Sequence, residues 1–235
     1  MRIEKFNSYK EMSEFVGDLF ASQLLLKPDS VLGLATGSTP IGAYEHLVKL
    51  YNEGKVDFSK CITFNLDEYY PIKQDNPQSY YYFMNEHLFS KVNVNKANLH
   101  IPNGSAPDAE AECKAYDELI DKMGGIDLQL LGIGENGHIG FNEPASSLDP
   151  GTHLTGLTES TIAANARFFD SADDVPRHAL TMGVGSILKA KRIVIAINGE
   201  KKLDAFNKLI EGKVDTMSPA TVLNLHSNVI VAFSN

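Results

Sequence analysis

The segment Gly132-Ile133-Gly134-Glu135-Asn136-Gly137-His138-Ile139-Gly140-Phe141-Asn142-Glu143-Pro144 concentrates this chain's chemistry. Four glycines alternate there with five polar side chains. So much glycine costs conformational entropy, and it makes sense where backbone must approach a ligand closely. His138 is suited to shuttle a proton near neutral pH, and Glu143 is placed to orient or share that proton. The spacing is not that of a metal-binding helix such as H-E-x-x-H, and no other histidine lies nearby. A second cluster, Asp67-Glu68, offers a carboxylate as general base, although spacing alone does not say which of the two acts. The same pair suits a solvated turn or a helix cap.

Thr36-Gly37-Ser38-Thr39 has a different character. A strand, a glycine turn and a helix start place free backbone N–H groups and hydroxyls at the positive end of a helix dipole, as phosphate binding requires. The segment is neither a P-loop nor a three-glycine dinucleotide fingerprint. Its plainer alternative is capping by Ser38 or Thr39. Two cations remain. Lys202 falls at a helix start, where the dipole disfavours it and a bound anion would explain it. Arg167 lies between Ala166 and the aromatic pair Phe168-Phe169.

These residues need a scaffold, and the chain alternates short apolar runs with amphipathic segments. Helices are expected over Ser8 to Leu26, Ile41 to Leu50, Ser79 to Leu88, Ala109 to Met123, and from Gly199 to Glu211. Strands are expected over Val31 to Ala35, Cys61 to Leu66, Ile126 to Ile133, Arg192 to Asn198 and Asn228 to Ala232. Asp67 to Pro71 reads as a polar stretch after the second strand. The aromatic run Tyr80 to Phe83 reads as packing. The polar clusters follow Ala35, Leu66, Ile133 and Asn198, all strand ends. Ligands of open α/β sheets bind outside the carboxyl ends of strands, so the four clusters are expected to face one crevice. The expected fold is a single α/β domain over residues 1–235, with a mostly parallel sheet flanked by helices.

Composition agrees. The 235 residues are 43% hydrophobic and 22% charged, within the range of globular proteins. A net charge of -9 argues against nucleic-acid binding. The first dozen residues lack the apolar core of a signal peptide, and no apolar run is long enough to span a membrane, so a cytoplasmic protein without membrane partners is expected. Cys61 and Cys113 are expected to be reduced and packed.

Taken together, LATGSTP (34–40), NLDEYYP (65–71), LGIGENGHIGFNEP (131–144), ARFFD (166–170) and the helix from Gly199 to Gly212 resemble the glucosamine-6-phosphate deaminases. The resemblance runs in order along the chain and is most specific where LDEY is combined with GHIGFNEP. It implies a modified Rossmann-like fold, with helices on both faces of a mostly parallel sheet, and an aldose–ketose isomerisation coupled to deamination of an amino sugar phosphate, with no metal or redox cofactor. Asp67 resembles the base that carries the C2 proton to C1 through an enolamine. His138 resembles the group that opens the pyranose ring, supported by Glu143. Thr36, Gly37, Ser38 and Thr39, with Arg167 and Lys202, resemble the phosphate cradle. Asn136 stands where longer, allosteric members carry aspartate beside the histidine, and as an amide it can orient but not charge-stabilise an imidazolium. His153 and Thr155 replace basic effector ligands of those members, and the chain stops at Asn235 without their C-terminal extension. Little activation by N-acetylglucosamine 6-phosphate and a monomer more readily than a homo-oligomer are therefore expected. Two alternatives stand beside this reading, a 6-phosphogluconolactonase-like hydrolase and a non-catalytic sugar-phosphate sensor.

Overall fold

The computed structural model describes residues 1–159, 161–162 and 175–235. Seven strands form one parallel sheet: β1 (Arg2–Phe6), β2 (Val31–Leu34), β3 (Ile62–Asn65), β5 (Leu99–His100), β6 (Leu128–Leu131), β9 (Ile193–Asn198) and β10 (Val229–Ser234). Their spatial order is β1-β10-β9-β6-β2-β3-β5, and every adjacent pair is parallel. Successive side chains of a strand point to opposite faces. Because every position of β2, β6 and β10 is buried, both faces of the sheet must be covered. The α/β architecture expected from the alternation of apolar runs is the one observed.

Helices α1 (Tyr9–Leu26), α2 (Ile41–Asn52), α3 (Tyr80–His87), α4 (Ala109–Lys122), α5 (Val184–Leu188) and α6 (Leu203–Ile210) complete the scaffold. Ser8 starts α1 by accepting the Glu11 N–H at 3.2 Å. The helix then buries Met12, Val16, Phe20 and Leu24 at fourfold spacing, one face against the sheet. α2 begins directly after Pro40, whose missing N–H costs nothing there. Among the described residues no helix is long and apolar enough to cross a membrane. Cys61 and Cys113 are free and buried.

One expectation needs correction. The stretch from Asp67, read as a polar stretch after the strand, forms a strand of its own, β4 (Asp67–Tyr70), separated from β3 by Leu66 alone. It leaves the large sheet and pairs antiparallel with β8 (His178–Thr181), which also pairs with β7 (His153–Gly156). Leu66 is the pivot: its N–H donates to Leu34 O at 3.1 Å, and its carbonyl accepts the Met182 N–H at 2.8 Å. The small sheet is thereby locked onto the end of the large one, with Asp67 opposite Thr181.

Candidate active site

Asp67 lies at the junction of the two sheets and is only 6% exposed. Its carboxylate accepts no hydrogen bond among the described residues. Burial, reinforced by the charge of Glu68, pushes its pKa up to about 8. Glu68 points elsewhere. Its two oxygens accept the N–H groups of Tyr69 and Tyr80 at 2.9 Å and of Tyr81 at 3.1 Å, so it serves the N-terminus of α3. The sequence left these two carboxylates equivalent as bases, and the geometry separates them. Burial raises Glu68 as well, to about 7, but its oxygens are occupied as a cap, whereas Asp67 is buried and accepts no hydrogen bond among the described residues.

The glycine-rich segment leaves β6 as a loop folded back on itself. Gly134 donates its N–H to His138 O at 2.9 Å, and Gly137 donates to Gly134 O at 3.0 Å. The His138 ring lies against the Cα of Gly134, in the space any side chain there would need. At the far side of the loop, a carbon added to Gly140 would stand 3.5 Å from Asp67 Oδ2 and 2.8 Å from Thr181 Oγ1. Phe141 N–H donates to that same Thr181 hydroxyl at 3.1 Å, and Asn142 Nδ2 donates to Ile139 O and Met182 O at 2.8 and 2.9 Å. The loop is thus riveted to β8 over Asp67.

His138 Nδ1 is 3.3 Å from Glu143 Oε1, and its side chain is 27% exposed. The approach has ion-pair distance, but Nδ1 finds no well-aligned hydrogen bond. A carboxylate on this side favours the tautomer with its proton on Nδ1, leaving Nε2 free as base. Glu143 is itself held from two other sides, by Asn136 Nδ2 at 2.7 Å and Thr161 Oγ1 at 2.8 Å. Burial would raise its pKa, yet His138, Thr161 and Asn136 together hold it at about 2. Asn136 also accepts the His138 N–H at 3.2 Å, so the amide organises the loop backbone and reaches the ring only through Glu143.

The phosphate-type loop follows β2. Gly37 has φ +101°, a backbone conformation that glycine adopts without strain. Gly37 and Ser38 are exposed, while Thr36 and Thr39 are half-buried. The N–H groups of Gly37, Ser38 and Thr39 have no partner among the described residues. Beneath them the buried Tyr44 hydroxyl donates to Ala35 O at 2.6 Å, tying α2 to the exit of β2, and it senses the charge of Asp67. Lys202 is half-buried at the entrance to α6 and pairs with no carboxylate among the described residues. Burial lowers its pKa, opposed by the charge of Glu135 in the glycine-rich loop. A half-buried ammonium at the positive end of a helix is stabilised by an anion.

The exits of β2 and β3 are joined by the Leu66 N–H to Leu34 O bond, and the loop after β6 meets Asp67 at Gly140, while Lys202 after β9 is coupled to that loop through the charge of Glu135. Arg167 lies outside the described residues. Thr161 and Thr181 support the site without any signal in the sequence, because each acts through a partner distant along the chain, and Tyr44 bonds a backbone carbonyl, which no motif marks. Ser218 backs the loop at Gly137 in the same way. Among the described residues no group of three or more histidine, cysteine or acidic side chains is arranged to hold a metal ion.

Comparison with known proteins adds the following. The family model of glucosamine-6-phosphate isomerases and 6-phosphogluconolactonases matches residues 9–231. A glucosamine-6-phosphate deaminase of Thermoanaerobacter sp. (strain X514) is 55% identical over 95% of this chain and 88% of its own. A solved monomeric glucosamine-6-phosphate deaminase superposes with TM-score 0.97 at 45% identity, covering 100% of this chain and 98% of the other. A 6-phosphogluconolactonase from Thermotoga maritima has TM-score 0.77 at 22% identity, over 99% and 98% of the two chains, a likeness of fold.

Proposed function

The chain belongs to the family of glucosamine-6-phosphate isomerases and 6-phosphogluconolactonases, and from that premise we propose that it is a cytoplasmic deaminase converting D-glucosamine 6-phosphate and water to D-fructose 6-phosphate and ammonia. The observation that carries the reading is the placement of Asp67, buried and without a hydrogen-bond donor among the described residues, beneath the loop that carries His138.

The chemistry distributes as follows. Nε2 of His138 takes the proton of the sugar's O1 hydroxyl and returns one to the ring oxygen, opening the pyranose. Glu143 stabilises the imidazolium that forms between those steps and fixes the ring's orientation. Asp67, ionised, removes the C2 proton to give an enolamine and delivers that proton to C1. The resulting ketimine adds water at C2, the C–N bond breaks, and ammonia leaves. A base of pKa about 8 is matched to proton transfer near neutral pH. At the far end, the N–H groups and hydroxyls of Thr36 to Thr39, with Lys202 and Arg167, hold the phosphate. That remote binding positions C1 and C2 against the carboxylate. No step in this sequence calls for a metal or redox cofactor.

The lactonases share the fold, but lactone hydrolysis has no use for a buried carbon base. The test is an ammonia-release assay on the purified protein with glucosamine 6-phosphate, run with and without a chelator, beside a gluconate-release assay on 6-phosphogluconolactone. Ammonia unaffected by chelator supports the proposal. Gluconate without ammonia overturns it.

A further inference from the structure

Tyr9 opens α1, thirty residues from the phosphate-type loop it touches. Its hydroxyl is 3.1 Å from Ser38 O and 3.1 Å from Thr39 O, and it accepts the Gly42 N–H at 2.8 Å. One oxygen thus meets two carbonyls of the loop and one of the orphan donors that begin α2. The approach depends on Gly42, where an added carbon would lie 3.0 Å from the Tyr9 hydroxyl and 2.5 Å from Ser13 Oγ.

From this geometry we infer that Tyr9 is a positioning residue for the substrate phosphate, its hydroxyl holding the 36–39 loop with its amides turned outward. The inference rests on the phosphate reading of that loop given above. The Ser38–Thr39 peptide is trans, the one cis bond among the described residues being Tyr70–Pro71. In a planar trans peptide the C=O and N–H point in opposite directions. Fixing the Ser38 carbonyl toward Tyr9 therefore aims the Thr39 N–H away from the protein body, where it has no partner among the described residues. The next carbonyl, that of Thr39, belongs to the peptide of Pro40, which has no N–H to aim. Tyr9 consequently orients the last amide before the helix, and it does so from the first turn of a helix packed against both the sheet and α2.

The two carbonyls and the Gly42 N–H lose their shared partner in Tyr9→Phe, while no atom proposed to touch substrate changes. Calorimetric titration with inorganic phosphate should show about five- to tenfold weaker binding by this variant, the scale of one lost hydrogen bond that orders a loop. KM for glucosamine 6-phosphate should rise by the same factor, with kcat held within about twofold. Unchanged phosphate affinity in a folded Tyr9→Phe protein, or a loss confined to kcat, overturns the inference. Gly42→Ala, which displaces the hydroxyl without removing it, should weaken phosphate binding in the same sense although alanine is the better helix former; unchanged affinity there counts equally against Tyr9. Failure of the two readings is distinguishable. A wild-type protein that binds phosphate and releases no ammonia defeats the deaminase reading alone, whereas ammonia release with equal phosphate affinity in wild type and Tyr9→Phe defeats the role of Tyr9 alone.

Discussion

Asp67 on β4 and Glu143 in the glycine-rich loop are both carboxylates withdrawn from solvent, and their surroundings push them in opposite directions. Asp67 has burial and the charge of Glu68 acting on it and no donor among the described residues, and it is raised to about 8. Glu143 has three polar neighbours, His138, Asn136 and Thr161, and is held at about 2. One is poised to gain a proton near neutral pH; the other stays charged at any working pH. Titratable groups driven apart in this way mark the division of acid–base labour in a site. In the proposed mechanism the strand supplies the group that moves a proton, and the loop supplies the fixed charge that steers another proton carrier.

The sharpest way to break this contrast is to remove the raised carboxylate. Asp67→Asn should lower kcat by about a thousandfold or more, as loss of a general base at carbon implies, with KM little changed. Near-normal turnover in steady-state assays would leave the burial of Asp67 without a catalytic meaning. Glu143→Gln keeps the shape of the fixed-charge side and removes its charge. It should cost about a hundredfold in kcat/KM, the scale of losing an orienting carboxylate behind a histidine. A loss as deep as that of Asp67→Asn would assign the two carboxylates equal roles.

Lys202→Ala lies outside the pair and should leave their contrast intact. Losing a charge-assisted contact to phosphate should raise KM about tenfold or more with kcat largely kept. A kcat defect at unchanged KM would remove Lys202 from the cradle.

A smaller effect reads the contrast as stability. A carboxyl whose folded pKa is raised costs nothing below its unfolded value of 3.8, and its cost grows as pH climbs from there to about 8. The melting temperature of Asp67→Asn relative to wild type should therefore shift in the variant's favour between pH 4 and pH 8.5, by about several degrees. A difference independent of pH would mean that Asp67 is not raised.

The sequence made much of this arrangement legible, for reasons particular residues explain. Val31 to Leu34 into Gly37 and Pro40 is a local strand–turn–helix pattern, and the observed elements follow it closely. The polar clusters after strand ends singled out Asp67, His138 and Lys202 because ligands of open α/β sheets bind outside the carboxyl ends of strands. The small sheet stayed hidden. HALT and HLTG are four-residue runs whose pairing is wholly non-local, and DEYY looks like a polar turn until β8 is beside it. β1 escaped as well, since R-I-E-K-F is an exposed edge strand with charges among its apolar residues. The choice between Asp67 and Glu68 was closed to spacing, because it depends on where the N-terminus of α3 comes to rest. Tyr9, Thr161 and Thr181 left no trace for the same reason, their roles being set by partners far along the chain.

Everything turns on one carboxylate touching one carbon. Glucosamine 6-phosphate deuterated at C2 would show this directly when followed by proton NMR with wild type and Asp67→Asn. With wild type, the label should leave C2, part of it reappearing at C1 of fructose 6-phosphate, in step with ammonia release. With Asp67→Asn it should remain on C2 under conditions where the sugar phosphate still binds. Loss of label from C2 in Asp67→Asn at a rate near that of wild type would contradict the account at its centre.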